Sequence, residues 1–145
     1  MGLLYDEFEI GKTFVSAGRT VREADIQQFA GLSADYNPLH TNEKYIKEHT
    51  PYKSCIAHGA LTFAMSTGFV FQDGLTAGTS LGFLGTEIKW THPVYPGDTI
   101  HLETTILEKR ETKKPGRGIV IMSRNIFNQD GDLCMESKAT VMVRR

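Results

Sequence analysis

Residues 58–71, His-Gly-Ala-Leu-Thr-Phe-Ala-Met-Ser-Thr-Gly-Phe-Val-Phe, carry no acidic or basic side chain except the opening histidine and are apolar on nearly every side. A helix of that kind persists in water only when other structure wraps it. The run is too short to cross a bilayer, so it predicts a buried helix that the rest of the fold must enclose. A Gly-rich passage, Asp73-Gly74-Leu75-Thr76-Ala77-Gly78, ends it.

Everything after that passage reads as strand. Ser80–Thr91 comes first and is closed by the turn His92-Pro93-Val94-Tyr95-Pro96-Gly97-Asp98. Thr99–Glu111 alternates Ile100, Leu102, Thr104 and Ile106 with polar neighbours until Pro115-Gly116 breaks it. Gly118–Phe127 and Leu133–Arg144 follow, the last with Cys134, Ala139, Val141 and Val143 marking a half-buried face. Consecutive strands joined by short turns predict an antiparallel meander. Upstream, 13–20 reads as a first strand. Thr20 with Glu23 suggests a capping box, opening a helix through Ile26, Phe29 and Ala30 that should stop near Gly31. A short helix then starts from Thr41 or Asn42 and runs through Glu48.

One α+β architecture fits this order: a curved antiparallel sheet wrapped around the long apolar helix, with the smaller helices over an edge or mouth. A length of 145 residues suits a single domain spanning 1–145. A lone sheet leaves an edge to cover, and pairing with a second copy is the expected solution.

Composition narrows the function. A formal charge of −1 argues against a nucleic-acid partner, and 40% apolar with 23% charged residues describes an ordinary globular chain. The start, Met1-Gly2-Leu3-Leu4-Tyr5-Asp6, lacks a basic region before an apolar run and has Asp6 where a myristoylation signal wants Ser or Thr, so a cytoplasmic chain without membrane association is expected. Cys55 and Cys134 are too few and too distant for a disulfide framework, and are expected to be reduced and packed. The five histidines show no metal-binding spacing, so no metal is expected.

The chemistry concentrates in Ala34-Asp35-Tyr36-Asn37-Pro38-Leu39-His40. Pro38 has no N–H and pushes Asn37 out of helical geometry, so Asp35 and His40 must sit on a bend. A bend can aim both at one water as a general acid/base pair. Taken alone, Asp35 and His40 also fit a turn-forming residue and an ordinary loop histidine. Downstream, Gly59 opens the buried helix, where free N–H groups and the positive dipole end gather.

The segment Phe29-Ala30-Gly31-Leu32-Ser33-Ala34-Asp35-Tyr36-Asn37-Pro38-Leu39-His40 closely resembles the signature of the MaoC-like, or R-specific, enoyl-CoA hydratases of the hot-dog fold. His58-Gly59 resembles the start of that fold's central helix, and Pro93-Val94-Tyr95-Pro96-Gly97-Asp98-Thr99 its turn between sheet strands. Ala34 departs from the family, where a glycine is common before the aspartate. The resemblance implies that Asp35 and His40 are the catalytic pair. They would hold a water that adds to the β-carbon of a trans-2-enoyl thioester while a proton reaches the α-carbon, with syn addition. It implies that the Gly59 N–H receives the thioester oxygen, that coenzyme A enters only as part of the substrate, and that no separate cofactor is needed. Thr67 resembles a hydroxyl that positions the pair in some relatives, although a buried threonine bonding its own helix is an equal reading.

Asn37 and Pro38 are read as shaping the bend, and His58 as a satisfied histidine at a helix start rather than a second base. Phe63, Met65, Phe69 and Phe83 are candidates for lining an acyl tunnel. Lys109, Arg110, Lys113, Lys114 and Arg117 are candidates for the coenzyme A phosphates, or simply a solvated charge run. Two other functions share the fold: an acyl-CoA thioesterase, and a non-catalytic acyl-thioester-binding protein.

Overall fold

The charge-free run forms helix α4, Gly59–Gln72, with His58 as its N-cap. The computed structural model describes residues 1–145. After a 3₁₀ turn at Tyr5–Glu7 come β1 (Thr13–Val15), β2 (Arg19–Thr20), α1 (Glu23–Ser33), α2 (Pro38–Thr41) and α3 (Glu43–His49). Beyond α4 lie β3 (Ser80–Trp90), β4 (Thr99–Glu111), β5 (Arg117–Phe127) and β6 (Leu133–Arg144).

Leu61, Met65, Phe69 and Val70 of α4 enter one core cluster with Ile100, Leu102 and Ile106 of β4, Val120, Met122 and Ile126 of β5, and Met135, Ala139, Val141 and Val143 of β6. Alternate residues of β4, β5 and β6 face the helix, the period-two pattern of a sheet with one buried face, whereas β3 has no buried residue. Register shifts in β3 and between Ile106 and Glu108 of β4 are the irregularities that let a sheet curl around a helix. This is the hot-dog arrangement expected from the sequence. Within one chain, however, the wrapping is one-sided: Ala60, Ala64, Thr67, Gly68 and Phe71 of α4 are exposed.

The strand order is β1-β4-β5-β6-β3, all antiparallel, with β2 also paired to β4. Only β4, β5 and β6 form the expected meander. β3 does not hairpin onto β4; it pairs with β6 at the far edge. The reason lies in residues 91–98, which hold two prolines and bury Val94 while its carbonyl accepts the Ala57 N–H at 2.8 Å. That connection crosses the end of the sheet beside the start of α4, and does not form a tight turn.

Three other expectations need correction. The strand expected over 13–20 is two short pieces, because Ser16 turns inward and its hydroxyl accepts the Leu102 N–H at 2.9 Å. Thr20 does not cap α1; its hydroxyl meets that of Thr99 at 2.8 Å, and the Arg22 N–H is instead received by the Asp25 carboxylate at 2.8 Å. α1 also passes Gly31 and ends at Ser33, closed by Ala34 in the left-handed region at φ 60°. The short helix does start from Asn42, whose side chain accepts the Tyr45 N–H.

Both cysteines are free and buried, and burial pushes the Cys134 thiol up to about 11. Of the four tunnel candidates, Met65 and Phe69 belong to the core cluster, Phe63 packs against it, and Phe83 is half-exposed on β3. No helix is long and apolar enough to cross a membrane.

Burying a side chain such as Phe69 contributes roughly 1.5–3 kcal/mol, and deleting it leaves a cavity besides. Phe69→Ala should therefore lower unfolding free energy by about 3–5 kcal/mol in urea titration. A loss below about 1 kcal/mol would show that α4 is not packed as described.

Candidate functional site

The bend is held by its own short side chains. Ser33 Oγ accepts the Asp35 N–H at 3.2 Å, Asp35 Oδ1 accepts the Asn37 N–H at 3.2 Å, and Asn37 Oδ1 accepts the Leu39 N–H at 3.0 Å. Asn37 is thereby the N-cap of α2, with Pro38 at the first helical position, where its missing N–H is no loss. Asn37 and Pro38 thus shape the bend, as their types suggested. Ala34 supplies the reversal before Asp35. For a non-glycine residue the left-handed region costs roughly 1–2 kcal/mol, which explains why glycine would suit this position.

Three bonds pin the bend to the segment before α4. The Ile56 N–H donates to the Leu39 carbonyl at 3.0 Å, and the Ile56 carbonyl faces His40 Nδ1 at 2.7 Å. A carbonyl only accepts, so His40 carries its proton on Nδ1 and presents the Nε2 lone pair. The third bond joins His58 Nε2 to the Asp35 carbonyl at 2.9 Å, and the same logic makes Nε2 its protonated nitrogen. His58 is buried, its ring stacks on His40 with centroids 3.7 Å apart, and Phe29 closes against it at 4.9 Å.

The fold therefore gathers Asp35, His40 and His58, with one ligand-type atom from each inside 4.8 Å. No spacing in the sequence announced this triad. Its stacked rings, tilted by only 26°, point their lone pairs along nearly parallel planes, a poor match to the converging donors a metal wants. His58 Nδ1 is buried without a partner, so the histidine expected to be satisfied is satisfied at one nitrogen only. Burial, with the facing His58, lowers the His40 pKa against smaller raising effects of the Ile56 carbonyl and Asp35. At neutral pH the site thus offers two acceptors, the exposed Asp35 carboxylate and His40 Nε2, and can hold one water by both hydrogens.

Gly59 opens α4, so its N–H has no intrahelical acceptor. Its lack of a side chain is required: a Cβ would lie 2.8 Å from the Trp90 indole, whose Nε1 donates to the Gly59 carbonyl at 2.9 Å. Trp90 was not singled out in the sequence, and nothing local could have revealed it, since the contact spans 31 positions. Thr67 is not brought to the pair. It stands on the exposed face of α4, and its hydroxyl donates to the Ala64 carbonyl at 2.7 Å. The basic residues considered for phosphate lie at the other end of the sheet, where Lys109 Nζ donates to the Phe8 carbonyl and Arg110 pairs with Glu108.

The model of the MaoC like domain matches residues 7–123. The chain belongs to the MaoC-like domain family. An (R)-specific enoyl-CoA hydratase of Rhodospirillum rubrum is 33% identical over 144 residues, covering 96% of this chain and 90% of that protein. An (R)-specific enoyl-CoA hydratase of Aeromonas caviae is 30% identical over 118 residues, covering 81% and 83%. The solved MaoC-like dehydratase of Rhodospirillum rubrum superposes with a TM-score of 0.87 over 99% of this chain and 98% of that one, at 33% identity. The MaoC-like match includes the whole bend, the start of α4 and Trp90.

A lowered His40 pKa has a defined consequence. An unfolded histidine takes its proton near pH 6.5 and the folded one only at lower pH, so this site contributes its stability in full above about 6.5 and loses it as pH falls toward the folded pKa. Ring-proton NMR should show His40 titrating below about 6.5. A midpoint at or above that value would contradict the buried, stacked environment.

Proposed function

We propose that the protein hydrates trans-2-enoyl-CoA thioesters to (3R)-3-hydroxyacyl-CoA and runs the reverse dehydration. The observation that carries this reading is the convergence of two acceptors, the Asp35 carboxylate and the His40 Nε2 lone pair, on one bend beside the unpaired N–H that opens α4. Two relatives covering most of the chain are named for that activity.

Water binds between Asp35 and His40. As its oxygen bonds to the β-carbon, one acceptor takes its proton, the carbon–carbon π bond breaks, and negative charge moves onto the thioester oxygen. The Gly59 N–H lies at a helix start, where backbone donors and the dipole are already oriented for such charge. The enolate then recovers the proton at the α-carbon, completing addition of one water. A single pair on one side of the substrate delivers both groups to the same face. Acid–base addition of this kind uses coenzyme A only as the carrier of the acyl group. A thioesterase would instead need its water aimed at the carbonyl carbon, with release of free thiol.

β3 is an eleven-residue edge strand with Leu81, Phe83, Leu84 and Trp90 substantially exposed, next to the exposed face of α4. We infer a homodimer paired through this edge in the cytoplasm, which would cover both surfaces.

Loss of the enoyl-thioester absorbance follows the reaction directly. Wild type should consume trans-2-enoyl-CoA without releasing free thiol, and Asp35→Asn should lower kcat by roughly 10²–10⁴-fold with the fold retained. Full activity in that variant would sink the mechanism. Gly59→Ala drives a Cβ against Trp90 and should lower kcat by about 10²–10³-fold if the N–H is displaced. Unchanged turnover would remove Gly59 from the oxyanion role.

A further inference from the structure

One charged side chain inside this fold has no partner. Arg124 of β5 is 3% exposed and lies on the helix-facing side of the sheet between Met122 and Ile126. Its Nε is sealed from solvent without a hydrogen bond, and burial alone pushes the guanidinium down to about 10, with no carboxylate nearby to restore it. It is therefore still charged at neutral pH. An uncompensated buried charge is among the most destabilising features a core can hold, so such a group implies an anion supplied from elsewhere. The only close attraction within the chain is the face of Phe83, 5.4 Å from Cζ, which offers no acceptor.

The position is informative. In register, Arg124 stands opposite Thr104 and Ser137, and Ser137 opposite Ile88. This row is one step, roughly 7 Å, deeper than the row of Ile126, Met135 and Trp90, the last of which holds Gly59. Phe83 in turn meets Phe63, ring centroids 6.1 Å apart, and Phe63 is one helical turn, roughly 6 Å, beyond Gly59. The guanidinium thus lies against Phe83 on the α4 side of the sheet, deeper than the proposed oxyanion donor. Thr104 Oγ1, opposite Arg124, is also buried without a partner.

We propose that Arg124 receives a carboxylate at the far end of the acyl group, so that the preferred substrates are ω-carboxylated, dicarboxylic trans-2-enoyl thioesters. This rests on the hydratase reading above, in which the thioester oxygen sits at Gly59, and adds that the acyl group runs from there down α4 past Phe63. A carboxylate accepts two parallel bonds from the guanidinium fork, and a third from the Thr104 hydroxyl. A carboxylate from a second copy docked on β3 is a poorer match, because β5 lies two strands, roughly 10 Å, inside that edge with Phe83 between.

The test compares kcat/KM for crotonyl-CoA and trans-2-hexenoyl-CoA with their ω-carboxylated counterparts, in wild type, Arg124→Met and Arg124→Lys. Wild type should favour an ω-carboxylated substrate, and Arg124→Met should reduce that preference by about 10–10²-fold, with partial recovery in Arg124→Lys. Removing a buried unpaired charge should also leave the melting temperature of Arg124→Met equal to or above that of wild type. No preference in wild type, or the same preference in Arg124→Met, overturns the proposal. So does a shift of Arg124→Met to monomer with the preference intact, which would assign the arginine to the subunit interface. Should wild type hydrate none of these thioesters, the hydratase reading falls, and calorimetric binding of saturated ω-carboxylated and simple acyl-CoA decides the arginine's role: tighter binding of the former, lost in Arg124→Met, supports it, and equal binding overturns it.

Discussion

The contact between the His40 imidazole and the Ile56 carbonyl governs the chemistry of this protein. It anchors α2, selects the tautomer that leaves Nε2 free, and ties the bend to the segment leading into α4. The same segment bonds back through Ile56 to Leu39 and through His58 to the Asp35 carbonyl, so the carboxylate and the imidazole are referred to one frame. Without that frame, an exposed Asp35 on a loop would have no fixed direction. Stacking of His58 on His40 adds a second constraint, fixing the plane of the imidazole, and burial with the facing His58 lowers the His40 pKa.

The frame is rigid because it is continuous with the core. Ala57 reaches the Val94 carbonyl, Val94 is buried, and the 91–98 connection carries the chain from β3 to β4 across the mouth of the sheet. Trp90, the last residue of β3, grips the first residue of α4 through its indole. The charge-free helix is thus fixed along its length by the sheet and at its opening turn by the tryptophan. The functional surface therefore lies where a helix start, a strand end and two loops meet.

Much of this was legible in the residues. The bend at Pro38, the start of α4 at Gly59 and the bounds of β4 and β6 follow from local rules of proline geometry, capping and alternation. What stayed hidden depends on partners distant in the chain. Whether β3 hairpins onto β4 or pairs with β6 is decided by the burial of Val94, which alternation within β3 cannot report. Thr67 resembles a positioning hydroxyl of some relatives, but helical phase puts it on the exposed face, where it bonds its own helix, while Ser66 and Thr62 are buried. His58 read as a satisfied cap because its stack on His40 closes only when the bend folds back. Arg124 shares the alternation of Val120, Met122 and Ile126, but Ile119 and Ile121 on the other parity blur which face is inner until the strand is packed.

A single water, held by one pair on one side of the substrate, makes a stereochemical statement that few other arrangements make. Hydration of a trans-2-enoyl-CoA in deuterated water, with the product resolved by chiral chromatography and NMR, reads it directly. Under the hydratase reading the product is (3R)-hydroxyacyl-CoA carrying one deuterium at C2, and the one-sided pair requires that deuterium on the same face as the new hydroxyl. A racemic alcohol, or deuterium on the opposite face, would mean that Asp35 and His40 do not act together on one water.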